Sequence, residues 1–378
     1  MEKTAPAPGT DPDARAHDVP RRTVELRSDT FTLPSPSMRQ AMFDAVLGDD
    51  VYGEDPTVAM LERRAAEVLG KAAACLMPSG TMANLASLMA HCPRGSKAVV
   101  GEESDIYVYE AGGASVCGGI VYHPVPNQPD GTLRLSDIEA AFPDDPSDPQ
   151  FALPAVICLE NPQNHTGGRV LPVDYLAAVR TMAAEAGVAV HLDGARIFNA
   201  ALACGEDAAT LASYADSVQF CLSKGLSAPV GSMVVGDGDF IRSVHRIRKM
   251  LGGGMRQAGV PAAAGLVALD EMTDRLETDH AHARRLAEGL AEVPGVALDP
   301  RPVRINMVFF RLTDPKASVA AVISGAAAQG VRLAELGRGR IRCVTHRGVT
   351  AEDIDHAVRT IAAVTATSAT SLGNESEG

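Results

Sequence analysis

The sequence of 378 residues contains no tryptophan, and aromatic residues of all kinds make up only 4% of it. A stacking platform for single-stranded nucleic acid needs aromatic faces along a basic groove, and there is little material here for one. Basic residues are in deficit as well: 34 Lys and Arg stand against 47 Asp and Glu, for a formal charge of -13. Phosphate backbones are held by clustered Lys and Arg, so a small-molecule substrate fits better than a nucleic acid. No apolar run approaches the ~20 residues that span a bilayer, and the proportions of hydrophobic (46%) and charged (21%) residues are ordinary for a soluble globular protein. The opening stretch MEKTAPAPGTDPDARAHDVPRR lacks the apolar segment of a secretory signal, which makes a cytoplasmic location the expectation. The seven cysteines Cys75, Cys92, Cys117, Cys158, Cys204, Cys221 and Cys343 form no C-x-x-C pair. Most sit in apolar runs, as buried reduced thiols do, and their spacing gives no metal site.

What is present is an alternation. Short β-rich runs recur as ACLMP, KAVVGE, GIVYHPV, AVICLE, VAVHLD, SVQFCLS and GSMVVGD, and several are separated by segments of helical period such as LPVDYLAAVRTMAAEAG. This predicts an α/β fold: a mostly parallel seven-stranded sheet with helices on both faces. From about residue 256 the pattern turns helical before the shorter strands NMVFFRL and RIRCVTH, which predicts a smaller α+β C-terminal domain. The expected division is a tail over 1–22, a large domain over 23–265, a small domain over 266–365 and a second tail over 366–378, both tails being small, polar and aperiodic.

Four residue groups suggest chemistry at the sheet's edge. Lys224 in SVQFCLSKGLSAPVGS follows an apolar strand and precedes Gly225 and other small residues. Alone, a strand-end lysine is a solvated charge. Asp193, however, ends the strand VAVHLD one β-α-β crossover upstream, and the ends of neighbouring parallel strands converge on one crevice. Ser79, Gly80 and Thr81 stand before the helical run MANLASLMAH, where free N–H groups and the helix dipole can hold a phosphate. They also read as plain helix caps. Arg196 and Arg342 are candidates for a two-point carboxylate clamp, Arg342 the better one because it lies in an apolar strand-like run. An amine, a carboxylate, a phosphate cup and a carboxylate clamp are what pyridoxal 5'-phosphate (PLP) requires of a protein.

These residues and the segments VELRSDTFTLPSPSMRQAM, GDDVYGEDPT, MPSGTMAN, YEAGG, HLDGARIFNAA, ADSVQFCLSKGLSAPVGS, RKMLGGGMRQAG and INMVFFR resemble, in order and spacing from about Val24 to Ala363, the low-specificity L-threonine aldolases of the β-eliminating lyase group, fold type I PLP-dependent enzymes. The resemblance implies Lys224 as the Schiff-base lysine, Asp193 as partner of the pyridine nitrogen, and Gly80 and Thr81 at the phosphate. Ser28, Arg196 and Arg342 would hold the substrate carboxylate. It further implies a homotetramer in which Tyr52 and Arg256 complete a neighbour's pocket.

Three positions depart from that family. Asp105 stands where a histidine stacks on the cofactor, Gln150 where a second histidine is expected, and Glu160, Asn161, Pro162, Gln163, Asn164 replace E-N-T-H-N. Cleaving Cα–Cβ of a β-hydroxy amino acid requires a base for the hydroxyl proton; Asp105, His165 and His123 are the alternatives to the missing histidines. Cα–H chemistry, as in a racemase or β-eliminating lyase, needs Lys224 as base and no such group. A PLP-fold scaffold without activity is the third reading. The sequence thus predicts a PLP-dependent lyase yielding glycine and an aldehyde, acting on a small amino acid, with Lys224, Asp105 and Asp193 catalytic.

Overall fold

A computed structural model describes residues 23–373 of the chain. All seven β-rich runs are strands of one sheet, in the spatial order Ala73–Met77, Ser232–Gly236, Ser217–Cys221, Ala189–Asp193, Pro154–Glu160, Lys97–Gly101 and Val121–Val125. Ser232–Gly236 alone runs opposite to the rest, pairing antiparallel on both sides. The central strands are covered on both faces, Ser217–Cys221 along its whole length, as continuous apolar runs require.

Local chemistry sets the helices between them. The Asp55 carboxylate accepts from the N–H groups of Thr57 and Val58, and Pro56 opens the helix Pro56–Val68 without an N–H to satisfy. The Ser79 hydroxyl accepts from the Met82 N–H at the start of Gly80–His91. Val173–Ala186 ends at Gly187, whose left-handed φ of 67° closes the helix.

A second core lies under a four-stranded antiparallel sheet in the order Ala334–Glu335, Ile341–Val344, Met307–Leu312, Val296–Ala297, packed by the helices Leu276–Ala291, Val319–Ala328 and Ala351–Gly373. Three boundaries differ from expectation. Val24 and Leu26, expected in the large domain, belong to this second core, because Val24–Glu25 pairs in parallel with Val331–Arg332. Position 265 falls inside the helix Gly259–Glu271, whose buried face joins the larger core, as does Leu276. The C-terminal helix continues to Gly373, since no glycine or proline interrupts it earlier. The expected tail over 1–22 and the last residues, 374–378, lie outside the described residues.

Gly259–Glu271 packs closely on Pro56–Val68. A Cβ at Gly265 would lie 2.8 Å from a methyl of Leu61 and 3.0 Å from one of Leu222. Gly265→Val is therefore expected to lower stability by about 1–3 kcal/mol through overpacking, read as a shifted denaturant midpoint with unchanged slope; an unshifted midpoint would contradict this packing.

Candidate active site

The strands Ala73–Met77, Lys97–Gly101, Pro154–Glu160, Ala189–Asp193 and Ser217–Cys221 share one direction, so the loops after them open at one edge. A cavity of about 350 Å³ lies there, lined by Ser79, Gly80 and Thr81 from the first loop, Asp105, Tyr109 and Glu110 from the second, and Asp193 and Lys224. Thr30, Pro78, Cys221, Ser223 and residues 229–231 complete the wall. Six of the residues singled out in the sequence thus meet in one place.

Asp193 is the best-supported of them. Register places it between Glu160 and Gln219 on the neighbouring strands. One carboxylate oxygen accepts from the Ala195 N–H at 3.0 Å and from the Gln219 amide, the other from Asn84 Nδ2 at 2.8 Å. Asn84 Nδ2 also donates to Glu110 Oε1 at 2.8 Å. Its amide oxygen consequently faces His191 Nε2, 3.0 Å away, and must accept from it. His191 Nδ1 then accepts from the Ser217 hydroxyl at 2.8 Å, and Ser217 accepts from His91 Nε2 at 2.7 Å. Burial pushes His191 down to about 3 and His91 down to about 4, so both are neutral near pH 7, as this one-directional chain needs.

The cavity is rich in carboxylates. Burial raises Asp193, with Asp105's charge adding to the rise while the Lys224 ammonium opposes it. Glu110 and Glu160 are pushed well up, first by burial and then by Asp193 and Asp105 respectively. Glu160 Oε2 accepts from the Asp105 N–H at 2.8 Å and Oε1 from the Asn164 N–H at 2.7 Å. No hydrogen bond or ion pair engages the Lys224 amine among the described residues.

Arg196 and Arg342 do not line the cavity. Arg196 is buried and paired with Asp29, Nε and Nη2 each donating to one carboxylate oxygen at 2.7 Å. The expected clamp therefore already holds a protein carboxylate, which leaves Nη1 for any other anion. Burial alone would raise Asp29, but the charge and hydrogen bonds of Arg196 outweigh it and hold Asp29 well below the usual carboxylate range. Arg342 donates from Nη1 to Asn164 Oδ1 at 2.8 Å and from Nη2 to the Arg27 carbonyl at 3.2 Å; its buried Nε has no partner among the described residues. Asn164 Nδ2 in turn donates to Asp105 Oδ1 at 3.1 Å, so Arg342 reaches the cavity wall through one amide. Burial lowers Arg342, and Arg196 nearby lowers it further. Ser28 accepts from the Thr30 N–H at the turn that carries Asp29 and Thr30.

Tyr52 and Arg256 lie elsewhere. Both are exposed, 6.0 Å apart as a cation and a ring, with Arg256 Nη1 donating to Asp49 Oδ2 at 2.9 Å. Of the other positions tied to the missing histidines, Gln150 is exposed in a turn closed by Asp148, and Gln163 is buried, donating to the Glu103 carbonyl. His165 stacks on Tyr109 at 5.2 Å but opens on a separate cavity of about 370 Å³; His123 sits on the edge strand Val121–Val125.

Asp29, Thr30, Asn84, Glu110 and Gln219 carry much of the site without having been singled out. Asp29 and Glu110 stand inside RSDT and YEAGG, so the segments were visible and the individual roles were not. The donor set fits PLP: a lysine amine, a buried carboxylate fixed by three donors, and the open N-terminus of a twelve-residue helix face one cavity.

Asp29 is depressed in the fold, so its stabilisation is present above the unfolded value of about 3.9 and is lost as pH falls below it. Asp29→Asn, which leaves Arg196 buried and unpaired, is expected to cost about 3–5 kcal/mol and to flatten the fall of stability below about pH 4; an unchanged slope in acid denaturation would contradict the pairing.

Comparison with known proteins identifies the family. The Beta-eliminating lyase family profile matches residues 25–313. Low-specificity L-threonine aldolase 1 of Arabidopsis thaliana is 45% identical over 337 residues, covering 89% of this chain and 94% of that one. The low specificity L-threonine aldolase of Escherichia coli K12 is 43% identical over 331 residues, covering 88% and 96%. Among solved structures, the threonine aldolase of Leishmania major superposes with a TM-score of 0.74 at 20% identity, covering 90% of this chain and 99% of that one. SPT with PLP superposes at 0.72 and 19% identity, covering 92% and 88%; at such identities these two show the shared fold. With a family profile over most of the folded chain and relatives above two-fifths identity along nearly their whole length, this protein belongs to the β-eliminating lyase family, beside the low-specificity L-threonine aldolases.

Proposed function

We propose that the protein is a PLP-dependent lyase that cleaves the Cα–Cβ bond of a β-hydroxy-α-amino acid, threonine among them, to glycine and an aldehyde. The names of its relatives support the reaction, and the observation that carries the site is the convergence of Lys224, Asp193 and the helix start at Ser79–Thr81 on one cavity. Held there by Lys224, Asp193 and the helix start, PLP would supply an electron sink for negative charge developing at the substrate's Cα.

The chain's own residues would divide the work as follows. Lys224 holds the cofactor aldehyde. Gly80 and Thr81, with the Ser79 hydroxyl, present donors to its phosphate. Asp193, its oxygens fixed by Asn84, Gln219 and Ala195, meets the ring nitrogen and keeps it protonated. Buried Arg196 stands close enough to half-buried Arg342 to disfavour its charge, with Asp29 the only carboxylate bonded to either among the described residues. Arg342 Nε, without a partner among the described residues, and Arg196 Nη1, not used by Asp29, suit a second anion, the substrate carboxylate, with Ser28 on the adjoining turn.

Asp105 is the proposed base for the β-hydroxyl proton. It shares the cavity wall with Lys224, whereas His165 opens on the neighbouring cavity and His123 lines neither. Asn164 fixes one of its oxygens and leaves the other for the substrate. The exposed Tyr52–Arg256 pair, with Leu33, Phe43 and Val46 also exposed, supports a homo-oligomer in which this surface meets a neighbour's site. No described helix is long and apolar enough to cross a membrane, and we retain the cytoplasm as the proposed location.

Incubating the holoenzyme with threonine, allo-threonine and phenylserine should release glycine and the matching aldehyde in equal amounts. Release of ammonia and a keto acid, or exchange at Cα alone, would overturn the reading. Asp105→Asn should lower kcat by about 100-fold or more while Asp105→His restores part of it; an Asn variant at half the original rate would remove Asp105 from the role.

A further inference from the structure

A second group of reactive side chains lies away from Lys224, beneath the turn that carries Tyr52. Glu62 comes from the helix Pro56–Val68, Cys75 from the edge strand Ala73–Met77 and His245 from the helix Gly238–Met250. They are 13 and 170 residues apart along the chain, so no spacing motif announces them. One ligand atom from each, a carboxylate oxygen, a thiol sulfur and a ring nitrogen, lies within 4.8 Å of the other two. Cys75 Sγ is 3.5 Å from His245 Nδ1, and His245 Nε2 is 3.9 Å from Glu62 Oε1. Glu62 and His245 line a cavity of about 440 Å³ together with Asp50, Tyr52, Arg248 and Lys249, while Cys75 is fully buried behind it.

We propose that Glu62, Cys75 and His245 form a zinc site with three protein ligands and a fourth position open to this cavity. The donor set is one that Zn²⁺ takes: thiolate, imidazole and carboxylate. Bonds of about 2.3 Å to sulfur and about 2.0 Å to nitrogen at a tetrahedral angle separate the two donors by roughly 3.5 Å, the spacing already present between Cys75 and His245. Because one ring nitrogen, the sulfur and a carboxylate oxygen all lie within 4.8 Å of one another, bringing Glu62 onto the same ion takes a shift of about 1.5 Å or less at these bond lengths.

Arg248, the cation beside the site, is already committed to other groups. Arg248 Nη2 is paired with Asp50 at 2.9 Å and its Nη1 donates to the Leu76 carbonyl. Glu62 Oε1 accepts only from the Leu76 N–H among the described residues. With Arg248 balanced by Asp50, the charges of Glu62 and a Cys75 thiolate match one divalent ion. Binding would break the Cys75 S–H bond, form an S–Zn bond and release the proton to solvent.

The test uses the full chain carrying PLP, treated with a chelator, desalted and titrated with Zn²⁺ alone, with bound metal measured by mass spectrometry and Co²⁺ as a spectroscopic substitute. One zinc per chain, a cobalt spectrum with a thiolate charge-transfer band, and at least about a 100-fold loss of affinity in His245→Ala and Glu62→Gln are expected. Both variants alter partly accessible groups and avoid the fully buried Cys75, so folding is preserved, and the PLP absorbance at Lys224 should be the same in all three proteins. Failure to retain zinc, or equal zinc in the wild type and both variants, would overturn the site. Neither result bears on the lyase reading, which is scored by its products.

Discussion

The structure is organised around one costly object, a buried carboxylate facing a lysine amine. A charge like that of Asp193 is tolerated in the interior only when its lone pairs are filled and an opposite charge is near. Asn84, Gln219 and the Ala195 N–H fill them, and Lys224 supplies the charge. Each donor comes from a different element: the helix after the first strand, the neighbouring strand and the turn after Asp193 itself. Fixing one carboxylate therefore fixes the relative positions of three pieces of the sheet edge. The chain from His91 through Ser217 and His191 to Asn84 extends that constraint through the layer between sheet and helix.

The same logic governs the second shell of charge. Arg196 and Asp29 are both buried and satisfy one another in two-point geometry, which ties the turn at Ser28–Phe31 to the loop after Asp193. Arg342, from the second core, reaches Asp105 through Asn164. The two cores are thus joined at the cavity by ionic and amide contacts, and it is there that a substrate carboxylate would add an anion to an arginine pair served by a single aspartate.

How much of this was legible in the sequence differs by level. Six of the seven strands stood out as apolar runs, because a strand covered on both faces has no polar alternation to blur it, while the largely uncovered edge strand Val121–Val125 was read from its β-rich residues. Their order did not, since crossovers and the reversed Ser232–Gly236 are set by packing of helices on the sheet. Lys224, Asp193 and Ser79–Thr81 could be read because strand ends in a parallel sheet converge by topology alone. Asn84 and Gln219 could not, as an amide inside a helix or strand carries no mark of the carboxylate it will meet. The small core's use of Val24 and Leu26 was equally hidden, being a pairing across some 300 residues. Arg196 was read as a clamp for substrate from its type and place; its partner Asp29 lies 167 residues away.

The central claim is that Lys224 is the residue to which the cofactor is joined. Reducing the PLP-loaded protein with borohydride and mapping the phosphopyridoxyl group by peptide mass spectrometry tests this most directly. The account predicts a single modified peptide spanning SVQFCLSKGLSAPVGS, with the added mass on Lys224; modification of another lysine, or of none, would contradict it.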